Sequence, residues 1–421
     1  MLLALLIFAA IYIGMLVLPK HRLWFALGGA LCMLLCGVLP WSAVPAAINW
    51  NVLLMIAGTM GIVSLFIETG MPSRLAVLLL RKARNACWAV VWLCVLSGVV
   101  SAFVDNVATV LMVAPVGLAI ARQLKISPVP VVIAIAVSSN LQGAATLVGD
   151  TTSILLGGYA DMDFLDFLFM NGKLSIFWAV ELGALATVPV LWALFRKCKA
   201  PVQGGELPVV TDYFPTWLML AVVALLILAS FVPGKPALTN GLICVGLCAV
   251  GLARACLRRR DSSALRLVLR ELDFSTLGML AGIFIALKGI ENAGVIDAVA
   301  AWFAAFSGGN LFVLYTLLVV VSVALSAFID NIPYVAAMLP VVRGVAAVLG
   351  ADPLVLYFGL LTGATLGGNI TPFGASANLA GIGILRKESY AVSNRDFFRI
   401  GVPFTLIAVV VGYAFIWLVW A

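Results

Sequence analysis

The sequence predicts an all-α polytopic membrane protein made of two inverted-topology repeats, each with a re-entrant helical hairpin and a broken transmembrane helix. Three observations predict it. Of 421 residues, 64% are hydrophobic and only 10% charged, against about 45–50% and about 25% in soluble domains. Two apolar stretches, 87–158 and 311–385, are interrupted by clustered Gly, Pro, Asn, Asp and Thr. Those two stretches repeat one another.

The spanning elements follow from length. Apolar runs near 1–19, 23–40, 51–67, 174–195, 214–232, 237–253, 275–290 and 400–420 approach the roughly 20 residues that cross a hydrocarbon core of about 30 Å. The first run has no basic residue ahead of it and no small-residue cleavage site, which predicts a retained span rather than a signal peptide. The interrupted stretches need a different path, because irregular backbone at membrane depth survives only where it is buried in protein or lines a cavity. Residues 87–121 are read as a hairpin with its tip at Asp105, and 128–158 as one span broken in the middle. Residues 311–349 and 353–385 are read likewise.

The repeat is seen directly. Residues 101–116, SAFVDNVATVLMVAPV, align with 326–341, SAFIDNIPYVAAMLPV, at an offset of 225, with eight of sixteen positions identical. The register continues through Pro128/Pro353, Leu141/Leu366, Gly143/Gly368, Thr146/Thr371 and Gly149/Gly374. Upstream, an offset of 224 pairs Met55, Ala57, Gly58 and Gly70 with Met279, Ala281, Gly282 and Gly294. The chain therefore divides into a first half, 1–200, with repeat core 48–195, a linker at 201–212, and a second half, 213–421, with repeat core 272–421.

Charge sets the orientation. With the hairpins re-entrant, the loops at 20–22, 74–84, 122–125, 196–199, 254–270 and 386–399 share one side and hold 21 of the 25 basic residues. That side is expected to be cytoplasmic, in what is expected to be a bacterial inner membrane, with the linker on the same side. The span at 51–67 then runs inward and its repeat partner at 275–290 runs outward, so the halves are inverted. The net charge of +7 is a topology signal here and does not point to nucleic acid.

Each hairpin tip carries an Asp-Asn pair, Asp105-Asn106 and Asp330-Asn331. Each broken helix adds polar residues, from Asn140 to Ser153 and from Thr365 to Asn378. An Asp near the bilayer centre costs about 2.5–3.5 kcal/mol on insertion scales, so its retention implies a partner or a function. Asp and Asn also cap helices well, but a neutral Ser would cap without the membrane cost. Carboxylate, amide, hydroxyl and carbonyl oxygens together suit a small hard cation. Sodium is expected at Asp105, Asn106, Asp330 and Asn331. The wider binding set is Ser101, Asn140, Thr146, Gly149, Asp150, Ser326, Thr365, Asn369, Thr371 and Asn378. For the glycines and prolines, close packing and helix breaking are the plainer roles. Asp150 aligns with Ala375 and Ala144 with Asn369, so the first half has one extra carboxylate. Asp105, Asp150 or Asp330 is expected to carry a proton during the cycle. Glu181 lies in an apolar run without repeat support, while Glu68 and Glu291 are read as interfacial. The eight cysteines include the i,i+4 pairs Cys32/Cys36 and Cys244/Cys248, which lack His or carboxylate companions and are read as packing residues rather than a metal site.

At these motifs, with NLQGAATLVGDTTSILLG and GGNITPFGASAN added, the chain resembles the ion transporter superfamily over roughly residues 20–420. That group includes arsenite permeases, NhaD-type sodium/proton antiporters, citrate transporters, divalent anion/sodium symporters and the melanosomal P protein. The resemblance implies a scaffold plus a moving transport unit, elevator-like alternating access and often a homodimer. In the divalent anion symporters a Ser-Asn-Thr triplet at each tip binds sodium and a substrate carboxylate. Here the matching triplets are Asp105-Asn106-Val107 and Asp330-Asn331-Ile332, closer to the NhaD-type and P-protein branch.

The expected function is secondary active ion transport, sodium- or proton-coupled, with cation/proton antiport preferred and no cofactor beyond the coupling ion. The alternative cargo is an anion or oxyacid such as citrate, a dicarboxylate or arsenite, although few basic residues are expected to help: Arg343 is read as following the second hairpin and Lys288 as ending a span. No catalytic residue is assigned. An intramembrane aspartyl protease would need two facing Asp for acid/base work, and no further catalytic motif accompanies them. No phosphate-cradling loop of the G-x-x-x-x-G-K-[ST] kind is present, so ATP drive would need another subunit.

Overall fold

The computed structural model describes residues 1–202 and 206–421; positions 203–205 of the linker expected at 201–212 lie outside them. The first half runs α1 (Leu2–Val17), α2 (Arg22–Leu35), α3 (Val44–Ala47), α4 (Trp50–Glu68), α5 (Met71–Leu80), α6 (Ala86–Ser101), α7 (Asn106–Gln123), α8 (Pro128–Gln142), α9 (Thr151–Tyr159) and α10 (Ile176–Phe195). The second runs α11 (Phe214–Ser230), α12 (Thr239–Arg259), α13 (Ser263–Glu271), α14 (Phe274–Asn292), α15 (Val295–Phe306), α16 (Leu311–Ser326), α17 (Asn331–Leu349), α18 (Leu354–Gly367), α19 (Ser376–Lys387) and α20 (Asn394–Trp420). A two-stranded antiparallel hairpin, Phe169–Met170 with Lys173–Leu174, interrupts the helices before α10. Among the described residues seven helices are long and apolar enough to cross a membrane, or up to eight if the bent pair α15 and α16 is one span.

The expected hairpins and breaks are present. Helices α6 and α7 meet at Ala102–Asp105, and α16 and α17 meet at Ala327–Asp330. Helices α8 and α9 flank the break 143–150, and α18 and α19 flank 368–375. Arg343 lies within α17 rather than after the second hairpin.

Two short helices, α5 and α15, are not anticipated by the apolar runs. Each starts after a left-handed glycine, Gly70 at φ 74° and Gly294 at φ 71°. A side chain there would be strained, which explains why this repeat pair is Gly in both halves. The chain turns 114° between α15 and α16, so α15 is an arm that carries it into the second hairpin.

Helix packing repeats with the sequence. Gly58 of α4 lies against Cys244 of α12, and a Cβ there would stand 2.4 Å from backbone. Its repeat partner Gly282 of α14 lies against Ala26 of α2, at 2.7 Å. Small residues let helix backbones approach this closely. Cys244 and Cys248 are buried at this seam, whereas Cys32 and Cys36 are exposed. Asp212, at the end of the linker, pairs with Arg254 and Arg258 of α12 at 2.6 and 2.8 Å. Glu68 pairs with Arg259, and Glu291 with Lys288, all at exposed positions.

Candidate ion-binding site

Both tips are built the same way. A helix start leaves N–H groups without partners, and an Asp side chain takes them. Asp105 Oδ1 accepts from the N–H of Val107 at 3.0 Å and of Ala108 at 3.1 Å. Asp330 Oδ1 accepts from the N–H of Ile332 at 3.1 Å. Asp150 caps α9, accepting from the N–H of Thr151 at 2.8 Å and the hydroxyl of Thr152 at 3.0 Å.

The breaks are tied to the tips by bonds that recur at the offset of 225. The Thr146 hydroxyl donates to the Ala102 carbonyl, and the Thr371 hydroxyl to the Ala327 carbonyl. Ser153 donates to the Gly143 carbonyl at 3.0 Å, and Asn378 to the Gly368 carbonyl at 2.9 Å. At Gly149 a Cβ would stand 2.7 Å from the Gly143 carbonyl oxygen and 3.0 Å from those of Ser101 and Ala102. At Gly374 it would stand 2.7 Å from the oxygens of Gly368 and Ser326 and 2.9 Å from that of Ala327. These residues therefore hold each tip against its break. Ser326 donates to the Ala364 carbonyl, while the buried Ser101 hydroxyl has no partner among the described residues.

The two broken helices interlock at the centre. Asn140 donates to the Thr365 carbonyl at 2.8 Å and to Asn369 Oδ1 at 3.0 Å. Asn369 donates to the Val137 carbonyl at 3.0 Å, and the hydroxyls of Thr152 and Thr365 lie 3.4 Å apart. Asn106 donates to Asn140 Oδ1 at 2.9 Å. Its repeat partner does something else: Asn331 reaches across to Asp150 Oδ2 at 3.4 Å. The extra carboxylate of the first half thus draws in the second tip.

Two cavities lie at opposite ends of α4 and α14. One, of about 190 Å³, is lined by Asp105, Asn106, Asp150, Thr151, Asn331 and Ser376, with Ser64 of α4 and Glu271, Asp273 and Thr276 at the start of α14. A water-sized void of about 10 Å³ also borders both Asp105 and Asp150. No hydrogen bond reaches Asp105 Oδ2 among the described residues. The residues lining the 190 Å³ cavity include four carboxylates and no Lys, Arg or His. The second cavity, of about 770 Å³, is lined by the other ends of the same helices, Trp50 of α4 and Glu291 of α14, with Tyr159 and Arg343. Repeat partners α4 and α14 therefore point in opposite directions.

Glu271 and Asp273 are not among the residues expected from the sequence. Asp273 caps α14, accepting from the N–H of Thr276 at 3.0 Å. It is the repeat partner, at offset 224, of Asn49, which caps α4 by accepting from the N–H of Val52 at 3.1 Å. That pairing is the signal that could have found it. Glu181 faces Gln142 rather than the cavity.

Arg22 is not among them either. Counted as a loop residue, it lies 2.6 Å from Asp330 Oδ2, where Ser376 donates at 3.2 Å. Asp330 is not among the residues that line the acidic cavity.

Comparison with known proteins agrees with this architecture. A family model described as citrate transporter matches residues 3–363. A 46 kDa membrane protein of Mycobacterium leprae is 31% identical over 381 residues, covering 88% of this chain and 86% of that protein. The human P protein is 26% identical over 456 residues, covering 88% of this chain and 53% of that protein. In fold, the YdaH transporter of Alcanivorax borkumensis superposes with a TM-score of 0.59 at 15% identity, covering 89% and 87% of the two chains. The Neisseria gonorrhoeae MtrF structure gives 0.57 at 16%, covering 87% and 80%. The matches are transporters and membrane proteins, not proteases.

Proposed function

From the premise that the chain belongs to the citrate transporter family, a family of membrane transporters and not of enzymes, we propose that it is a cation-coupled secondary transporter working by alternating access between inverted halves. Cation/proton antiport is the preferred form. The observation that carries this reading is the acidic cavity at the first tip: Asp105 and Asp150 inside, Glu271 and Asp273 at its edge, and no basic side chain in the lining. Such a lining concentrates cations by its field. A cation there gains the oxygens of Asp105, Asp150, Asn106 and Asn331, and its departure leaves carboxylates able to take a proton. Sodium and the proton are the coupling ions this chemistry favours. Basic loops facing the cytoplasm of a bacterial inner membrane, and assembly as a homodimer, complete the proposal.

A second reading is favoured by the description of the family: citrate or a related oxyacid as cargo. It requires the anion to enter with its charge neutralised by cations or protons, because bare carboxylates would repel it.

The test is a sodium gradient imposed on liposomes that hold the protein and an internal pH dye. Sodium-driven proton flux is the expected result. Absence of flux, with uptake of labelled citrate instead, would replace the first reading by the second.

A further inference from the structure

The pairing of Arg22 with Asp330 makes the two tips unequal. Both carry Asp-Asn, yet the first tip presents its Asp to the acidic cavity, whereas the second lends that cavity Asn331 and Ile332 while its Asp is paired with a cation that belongs to the chain. Arg22 lies outside the repeat core, at the first residue of α2, and its side chain is one-quarter exposed while that of Asp330 is 6% exposed. A second contact comes from the same region: the hydroxyl of Tyr12, on α1, donates to the Pro333 carbonyl at 2.8 Å, three residues beyond Asp330. Together α1 and α2 hold the second tip by its carboxylate and by its first turn. Nothing equivalent holds the first tip among the described residues. Ala26 of α2 lies on Gly282 as Cys244 of α12 lies on its repeat partner Gly58. One helical turn back from each, the position matching Arg22 is Asn240, which is uncharged and bonds Asp163 at 3.4 Å.

Resting on the cation reading above, we propose that Arg22 is a tethered counter-ion of the transport site. In this conformation its guanidinium takes the place of a solute cation at Asp330. That carboxylate becomes available to solute only when the second tip leaves α2. The site therefore has one open cation position, at Asp105 and Asp150, and one that is internally filled. A buried carboxylate without a partner is costly, so Asp330 cannot leave Arg22 unless a cation or proton replaces it, and this couples tip movement to ion binding.

The test uses purified full-length protein and two readouts. Hydrogen exchange of the segment 327–340 in sodium-free potassium buffer reports the tie. Sodium titration of the same protection reports competition. R22Q is expected to speed exchange at the tip about tenfold, equivalent to about 1.4 kcal/mol, and to lower the sodium concentration for half-maximal protection by a similar factor. R22K should restore much of the wild-type behaviour, and the swap R22D with D330R should restore the tie. Unchanged tip exchange in R22Q, or an unchanged or raised sodium midpoint, would overturn the proposal. Loosening by R22Q that R22K reverses, with no sodium response in either protein, would leave the tie standing and refute the cation reading instead. Should R22Q not fold, the swap decides: restored protection supports the pairing, and its absence overturns it.

Discussion

Asp105→Asn is expected to cut sodium-driven proton flux severely while leaving the protein folded. Asn is as good an N-cap as Asp, so the bonds from Val107 and Ala108 persist and the melting midpoint in detergent should stay near that of wild type. The lost charge is the one that faces the cavity. Hydrogen bonds and contacts to charged groups are worth about 1.5–3 kcal/mol, so flux should fall by about tenfold or more. Asp150→Asn should give the same loss, since Asp150 lines the same cavity and void. Asp105→Asn with wild-type flux would reduce Asp105 to a cap and remove the chemical basis of the cation reading.

Gly374→Ala is the second large effect, and it concerns folding. The new methyl would meet three backbone oxygens at 2.7–2.9 Å, and none of them can swing aside as a side chain could. Overpacking of this kind costs about 1–3 kcal/mol. A broken helix that cannot dock on its tip also loses the bond from Thr371 to Ala327. Gly149→Ala should behave alike at the first break, where the closest oxygen is again at 2.7 Å. Gly383→Ala is the control: it lies in α19 with nothing within 4 Å, and should be neutral or slightly stabilising, as Ala is in any helix. Thermal unfolding followed by size-exclusion chromatography separates the three. Equal midpoints for Gly374→Ala and Gly383→Ala would show that the break tolerates a side chain.

Much of this architecture is legible in the amino-acid sequence, and the reason is chemical. Lipid forbids unpaired backbone, so Asp-Asn at 105–106 and 330–331, and the Gly-rich breaks after Gln142 and Gly367, announce interruptions that an ordinary span would not contain. Duplication then supplies a second copy of each signal. What is not legible depends on contacts between distant segments. Arg22 looks like one more loop charge until α2 is laid along α14 and the second tip comes within reach. Thr146 and Thr371 are read as ligands because they are polar and repeated, and the sequence does not show that their hydroxyls also donate to the hairpin carbonyls. The helices α5 and α15 leave only Gly70 and Gly294 as traces, since ten and twelve residues fall well short of the roughly 20 by which a span announces itself.

The central layer of Asn140, Asn369 and Thr365 and the two cavities have an expected electrical consequence. The layer's amides are bonded to one another and to backbone, and cavities of about 190 and 770 Å³ cut in from opposite ends of α4 and α14. Membrane voltage is therefore expected to fall mainly across the packed protein between the two cavities instead of across the full bilayer. Moving one elementary charge through 100 mV is worth about 2.3 kcal/mol. An exchange that carries net charge per cycle will thus speed or stall steeply when liposomes are clamped with potassium and valinomycin, and a one-for-one exchange will ignore the clamp.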